Sequence, residues 1–213
     1  MLLHDCNQES AGIYPQQRFN KFISDRNDGT IPMDTIWERY FDIKHPKHKA
    51  VVLRFDWIML HVYGPRFLDV GCSNGLGIYL ASQKKNVKEL YGIDVCKQAI
   101  IKARENNINN HTINLKYGLA ENLEYEDNFF DCILMGEILE HVMDDVKAIS
   151  EAYRVLKTDG TIIITVPNGG HTSADHLRIY TEQTIINLAG NTGFNFIKIE
   201  LLMEWILLKA IKI

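Results

Sequence analysis

The sequence predicts an α/β protein with a doubly wound, seven-stranded, mostly parallel sheet that ends in an antiparallel hairpin. A helical segment precedes it. Three observations predict this. From residue 66 onward, short apolar strands alternate with helical stretches of about ten residues, the grammar of parallel βαβ units. The first strand runs into a glycine-rich turn, GCSNG, and then a helix. The last two strands are joined by only a few residues, which makes them an antiparallel pair.

The elements follow in order. Residues 5–34 are polar and turn-rich, with Asn27-Asp28-Gly29 as the clearest turn signal. Asp34 can cap a helix through TIWERYFDIK, and Pro46 opens a second, KHKAVVLRFDWIMLHVYG, which Gly64-Pro65 ends. Strands are expected at Arg66–Gly71, Leu90–Val95, Ile113–Tyr117, Phe130–Met135 and Thr161–Val166. Helices are expected at 75–85, 97–107 and 143–157, with one more at 181–190 closing at Gly190. Phe194–Leu201 and Trp205–Ile211 form the terminal hairpin. The division is therefore 1–65, a helical cap or lid, and 66–213, the sheet domain.

Composition narrows the class. The 213 residues carry a net charge of −4, so no global basic field exists to hold nucleic acid by its phosphates. No apolar run approaches the ~20 residues of a membrane helix, and MLLHDCNQES does not read as a signal peptide. Cys6, Cys72, Cys96 and Cys132 are scattered without C-x-x-C spacing, which fits reduced thiols in a cytoplasm. A cytoplasmic protein with no membrane association is expected. Its oligomeric state is not legible.

The chemistry lies at the strand ends. Strand one ends FLDVGCSNG, and strand two ends YGID about 20 residues later, where Asp94 suits a ribose diol. A dinucleotide site wants G-x-G-x-x-G, but the corresponding positions are Gly71, Ser73 and Leu76. Asp69 would repel a pyrophosphate and better suits a cationic ammonium or sulfonium head. A dinucleotide oxidoreductase and a turn with no ligand are the weaker readings.

Five segments, in order and normally spaced over residues 66–213, resemble class I S-adenosylmethionine-dependent methyltransferases: FLDVGCSNG, YGIDV, DNFFDCILMGEILEHV, LKTDGTIIITVPN and DHLRIYTEQTIINLAGNTGF. The resemblance implies a Rossmann-like sheet and S-adenosylmethionine as methyl donor. It implies that the backbone from Gly71 through Cys72 and Ser73 to Gly75 holds the methionine part, with Asp69 taking its ammonium. Asp94 would take the ribose hydroxyls and Val95 would pack on adenine. Where the family usually shows Gly-Asp-Ala-Glu, this chain reads Gly118-Leu119-Ala120-Glu121. Adenine contacts would then fall on the backbone of Leu119 and Ala120 or on Glu121. Gly136 and Glu137, at the end of strand four, would face the methyl group.

Glu137, Glu140 and His141 share a face if the turn after strand four is helical. His176 follows after strand five, at the same end of the sheet. Three readings stand open: a site for Mg²⁺ or Mn²⁺, a metal-free general base, or a structural cluster. The E-x-x-E-H string is similar to that of quinone-biosynthesis O-methyltransferases and small-RNA terminal 2′-O-methyltransferases, a resemblance that implies metal ligation. His141, His176 and Glu137 are the catalytic candidates. His171 reads as a loop residue. His45, Lys47, His48 and Lys49 read as a solvated basic face or an anion grip, and Trp37, Tyr40 and Phe41 as core contacts or a stacking platform.

The expected function is methyl transfer to a small-molecule acceptor, at oxygen by preference. Metal-dependent RNA 2′-O-methylation and a non-catalytic donor-binding module are the alternatives. Acceptor recognition is expected to rest on the N-terminal segment and a few loops.

Overall fold

A computed structural model describes residues 36–107, 113–169 and 176–213, together with the helical positions Gln17, Asn20, Ser24 and Asn27. The expectations for Asp34, for Asp28-Gly29 and for His171 lie outside the described residues, as does the side chain of Trp37.

Helix α1 (Ile36–Phe41) and helix α2 (His48–His61) come first. The sheet domain then runs β1 (Arg66–Val70), α3 (Leu76–Ser82), β2 (Glu89–Asp94), α4 (Lys97–Asn106), β3 (Ile113–Tyr117) and β4 (Phe130–Gly136). It continues with α5 (Asp145–Val155), β5 (Leu156–Pro167), α6 (Glu182–Thr192), β6 (Phe194–Leu202) and β7 (Trp205–Lys212). The seven strands lie in the order β3-β2-β1-β4-β5-β7-β6. β1 to β5 pair in parallel, while β7 runs antiparallel to both β5 and β6. The expected doubly wound sheet is thus present. Its strand order reverses between β1 and β4, and ligands of such sheets bind at the strand C-terminal ends beside that point.

Alternation along each central strand feeds two cores. Ile133 and Met135 of β4, with Ile162 and Ile164 of β5, face Ala148, Ile149 and Ala152 of α5 and Ile185 and Ala189 of α6. Cys132, Leu134 and Ile163 point to the opposite face, against α3, α4 and α2. α2 is therefore a full member of the second core: Val51, Phe55 and Ile58 are buried beside Phe67, Leu76 and Ile78.

Three boundaries differ from expectation, each for a physical reason. β5 starts at Leu156, directly off α5, because Phe130 of β4 pairs with Leu156 before a bulge shifts the register. α6 runs past Gly190 to Thr192 and is closed by Gly193 at φ 108°, a left-handed stop; Thr181 caps its start. Residues 137–144, between β4 and α5, are a run of turns and not a helix, so Glu137 and Glu140 do not share a helical face.

Candidate functional site

One side of the candidate site is built from the ends of β1, β2 and β3. β1 delivers Asp69, and the turn after it places Gly71 and Gly75 at φ 76° and 85°, with Ser73 at φ 46°. Gly71 and Cys72 donate from their N–H groups to the Ile93 carbonyl at 2.8 and 3.0 Å, and Gly75 donates to Cys72 at 2.8 Å. The Ser73 N–H goes to Asp94 Oδ2 at 2.9 Å. These donors are spent within the protein. A phosphate would need them; an ammonium needs oxygen acceptors instead.

Asp94 closes β2. Its other carboxylate oxygen accepts from the Cys96 N–H at 2.8 Å, so the group is fixed in place. Asp69 is buried, and that burial together with the neighbouring Asp94 pushes its carboxyl up to about 8. Two carboxylates in one dry corner fit a ligand that brings a positive charge. Val95, half-buried, and exposed Leu119 extend from neighbouring strands, since Asp94 pairs with Tyr117 across β2 and β3. Ala120 beside them is buried. Glu121 Oε1 accepts from the Met143 N–H at 2.9 Å, so this side chain also fastens the turns after β4.

The opposite side is built from the ends of β4 and β5. Glu140, His141 and His176 each present a ligand atom, and these atoms lie within 4.8 Å of one another. Glu140 is 1% exposed. The His141 and His176 rings meet edge to face at 4.9 Å. A carboxylate and two imidazoles in this compass fit a divalent cation by donor chemistry. Glu137 stands apart from the three. Its Oε1 accepts from Thr165 at 3.3 Å and its Oε2 from the Trp205 indole at 2.7 Å. Burial raises the Glu137 pKa; the opposing influences are Arg54 first, then these two hydrogen bonds and His176. Gly136 and Glu137 mark the point where β4 ends, and Glu137 holds a left-handed φ of 55°.

Three residues that the sequence reading missed organise this side. Arg178 donates from Nη1 to the carbonyls of Leu139 and Val142 at 2.7 and 2.6 Å, and from Nη2 to Met143 at 3.0 Å. It thereby holds the whole run that carries Glu140 and His141. Trp205 anchors Glu137 from β7. Arg54 reaches Glu137 from α2, with Nη1 at 3.2 Å from Oε2. Only Arg54 left a trace in the sequence, as an arginine within the apolar stretch KAVVLRFDWIML. The basic cluster contributes one contact here, Lys47 Nζ to Glu204 Oε1 at 3.3 Å. Tyr40 packs edge to face on Phe55 at 6.0 Å, a core contact, whereas Phe41 is exposed and meets Tyr79.

A doubly wound sheet with a glycine turn, a strand-end acid and a polar cluster across the reversal point defines a Rossmann-like α/β protein. Residues 68–164 match the family model described as a methyltransferase domain. The ubiquinone biosynthesis O-methyltransferase of Neisseria meningitidis is 29% identical over 154 residues, covering 70% of this chain and 64% of that protein. The chain thus spans less than two thirds of that relative's length. Phosphoethanolamine N-methyltransferase 2 of Caenorhabditis elegans is 28% identical, over 62% of this chain and 32% of its own. Among solved structures, the [4+2]-cyclase SpnF superposes with a TM-score of 0.70 at 19% identity, covering 79% of this chain and 84% of that one. That likeness shows the fold alone. The chain is thus similar to methyltransferases over the stretch that the family model matches, residues 68–164. Among the described residues no helix is long and apolar enough to cross a membrane.

Proposed function

We propose that the protein transfers the methyl group of S-adenosylmethionine to a hydroxyl oxygen of a small-molecule acceptor. The observation that carries this reading is the placement of the Glu140, His141 and His176 cluster at the ends of β4 and β5, across the reversal point from Asp69 and Asp94. A hydroxyl is a poor nucleophile until its proton leaves, and a carboxylate with two imidazoles supplies either a base or a metal site. An amine acceptor would need neither.

In this reading Asp69 takes the donor ammonium, Asp94 the ribose hydroxyls, and the edges formed by Val95, Leu119 and Ala120 receive adenine. Glu140, His141 and His176 would hold Mg²⁺ or Mn²⁺, which when bound lowers the pKa of the acceptor hydroxyl and orients it. Glu137 stands by the acceptor. The hydrogen bond from the Lys97 N–H to Asn27 Oδ1, at 3.0 Å and close to the end of β2, supports a cap role for the N-terminal segment ahead of α2. The names of similar proteins, an O-methyltransferase of ubiquinone biosynthesis among them, support a small acceptor.

The test is S-adenosylhomocysteine release from labelled donor with a panel of phenols and alcohols, with and without chelator. The expected result is turnover abolished by chelator and restored by Mg²⁺ or Mn²⁺. Full turnover in excess chelator would assign His141 or His176 as general base and remove the metal. Turnover on amines alone would overturn the oxygen assignment.

A further inference from the structure

Arg54 is a buried cation that the reaction described above does not use. It is 5% exposed. Its guanidinium lies 4.5 Å from the Trp205 ring and 5.3 Å from the Phe55 ring. Its ion pair with Glu137 brings Nη1 to 3.2 Å from Oε2, and Nε is buried without a hydrogen-bond partner among the described residues. A guanidinium offers five N–H donors in a planar fork, and an unmade buried hydrogen bond is costly. Glu137 does not require Arg54 for its placement, since Thr165 and Trp205 already hold both carboxylate oxygens. For tethering α2 to the sheet, an apolar side chain of similar length would serve as well or better. The charge is therefore retained for something that comes and goes.

We propose that Arg54 determines acceptor specificity by receiving a carboxylate carried by the methyl acceptor, through Nε and the free part of its fork. This rests on the methyl-transfer reading above and names the acceptor's chemical class. A planar fork is matched by a planar oxyanion, which two parallel N–H donors can grip. The surroundings agree. Arg54 and Arg39, which act on each other electrostatically, come from the N-terminal helices; Glu137, Glu140 and Glu204 come from the strand ends and their connections. Glu137 and Glu204 repel any carboxylate not seated on the guanidinium, which sharpens the choice. Glu137 keeps 26% of its side chain exposed, so the pair is reached from the Glu137 side.

The probes are 4-hydroxyphenylacetate and its isosteric amide, titrated into the full chain saturated with S-adenosylhomocysteine and followed by nitrogen-edited NMR of arginine Nε–H groups. The acid is expected to bind about tenfold or more tightly than the amide, since only it can take two charge-assisted bonds. The Arg54 Nε–H signal, identified by its loss in Arg54→Lys, is expected to move downfield with the acid only. Arg54→Lys keeps the charge near Glu137 but not the fork, and is expected to erase the preference while donor-product affinity stays unchanged. Equal binding of acid and amide, no binding of the acid, or a preference that survives in Arg54→Lys would overturn the proposal. Should Arg54→Lys fail to fold, the wild-type preference and the arginine shifts decide. Absence of S-adenosylhomocysteine binding would instead overturn the donor-site reading, and the acid–amide comparison without it would still judge Arg54.

Discussion

Asp69 and Asp94 occupy one dry corner, and their chemistry makes a pH prediction. Asp69 is pushed up to about 8 from an ordinary 3.8, so the folded chain holds a proton there that the unfolded chain releases near pH 4. Its contribution to stability is fully present below that unfolded value and is lost as pH rises through about 8. A bound ammonium reverses the preference, because it favours the ionised carboxylate. Stabilisation by S-adenosylhomocysteine in thermal unfolding is thus expected to grow from about pH 6 to about pH 8 and then level off. A gain that does not vary with pH would remove Asp69 from the ammonium site. Asp94 is predicted to act more strongly still. Asp94→Ala loses the ribose acceptor and also frees the Ser73 and Cys96 N–H groups. Hydrogen bonds to a charged acceptor contribute about 1.5–3 kcal/mol each, so donor affinity in calorimetry is expected to fall about tenfold or more.

At the scale of elements, the run 137–144 takes its shape from outside itself. It has too little internal hydrogen bonding to be a helix, and three of its carbonyls are bound by Arg178, which follows β5. Asp145, at the start of α5, accepts from the Tyr180 hydroxyl at 2.6 Å and completes the clasp. Arg178→Ala is expected to cost about 2–4 kcal/mol in denaturant unfolding, since buried carbonyls lose charge-assisted donors. It is also expected to depress turnover more than donor affinity, because Asp69 and Asp94 stand on other strands. Equal loss of both would show that the run does not serve the acceptor side. The helical spacing of Glu137, Glu140 and His141 suggested a shared face. Spacing alone could not show that Arg178 spends the carbonyls on another pattern. The start of β5 was hidden for a similar reason: Lys157-Thr158-Asp159-Gly160 has turn composition, yet pairing with β4 begins at Leu156.

Across the whole molecule, α2 joins the N-terminal region to the sheet. Ile58 is 1% exposed in the same core as Phe67 and Leu76. Ile58→Ala is expected to destabilise the entire fold by about 2–5 kcal/mol in a single unfolding transition. Loss confined to a separate, earlier transition would mean that α2 is an independent lid. Its apolar spacing was readable as helix, but whether that face covers a ligand or fills a core depends on what lies opposite.

By itself the sequence determined the order of strands and helices, the glycine turn and the acids at the ends of β1 and β2. Those follow from local rules: side-chain period, turn chemistry and the distance from one strand end to the next. Its glycine, aspartate and E-x-x-E-H segments also carried the resemblance to methyltransferases. Only the tertiary structure decided which polar groups meet. It left Glu137 out of the group formed by Glu140, His141 and His176, turned Glu121 to the Met143 amide, and brought Arg54 and Trp205 to Glu137 and Arg178 to the run 137–144. Those contacts join residues far apart in the chain. Their partners are set by how helices seat on a twisted sheet, and no local pattern records that.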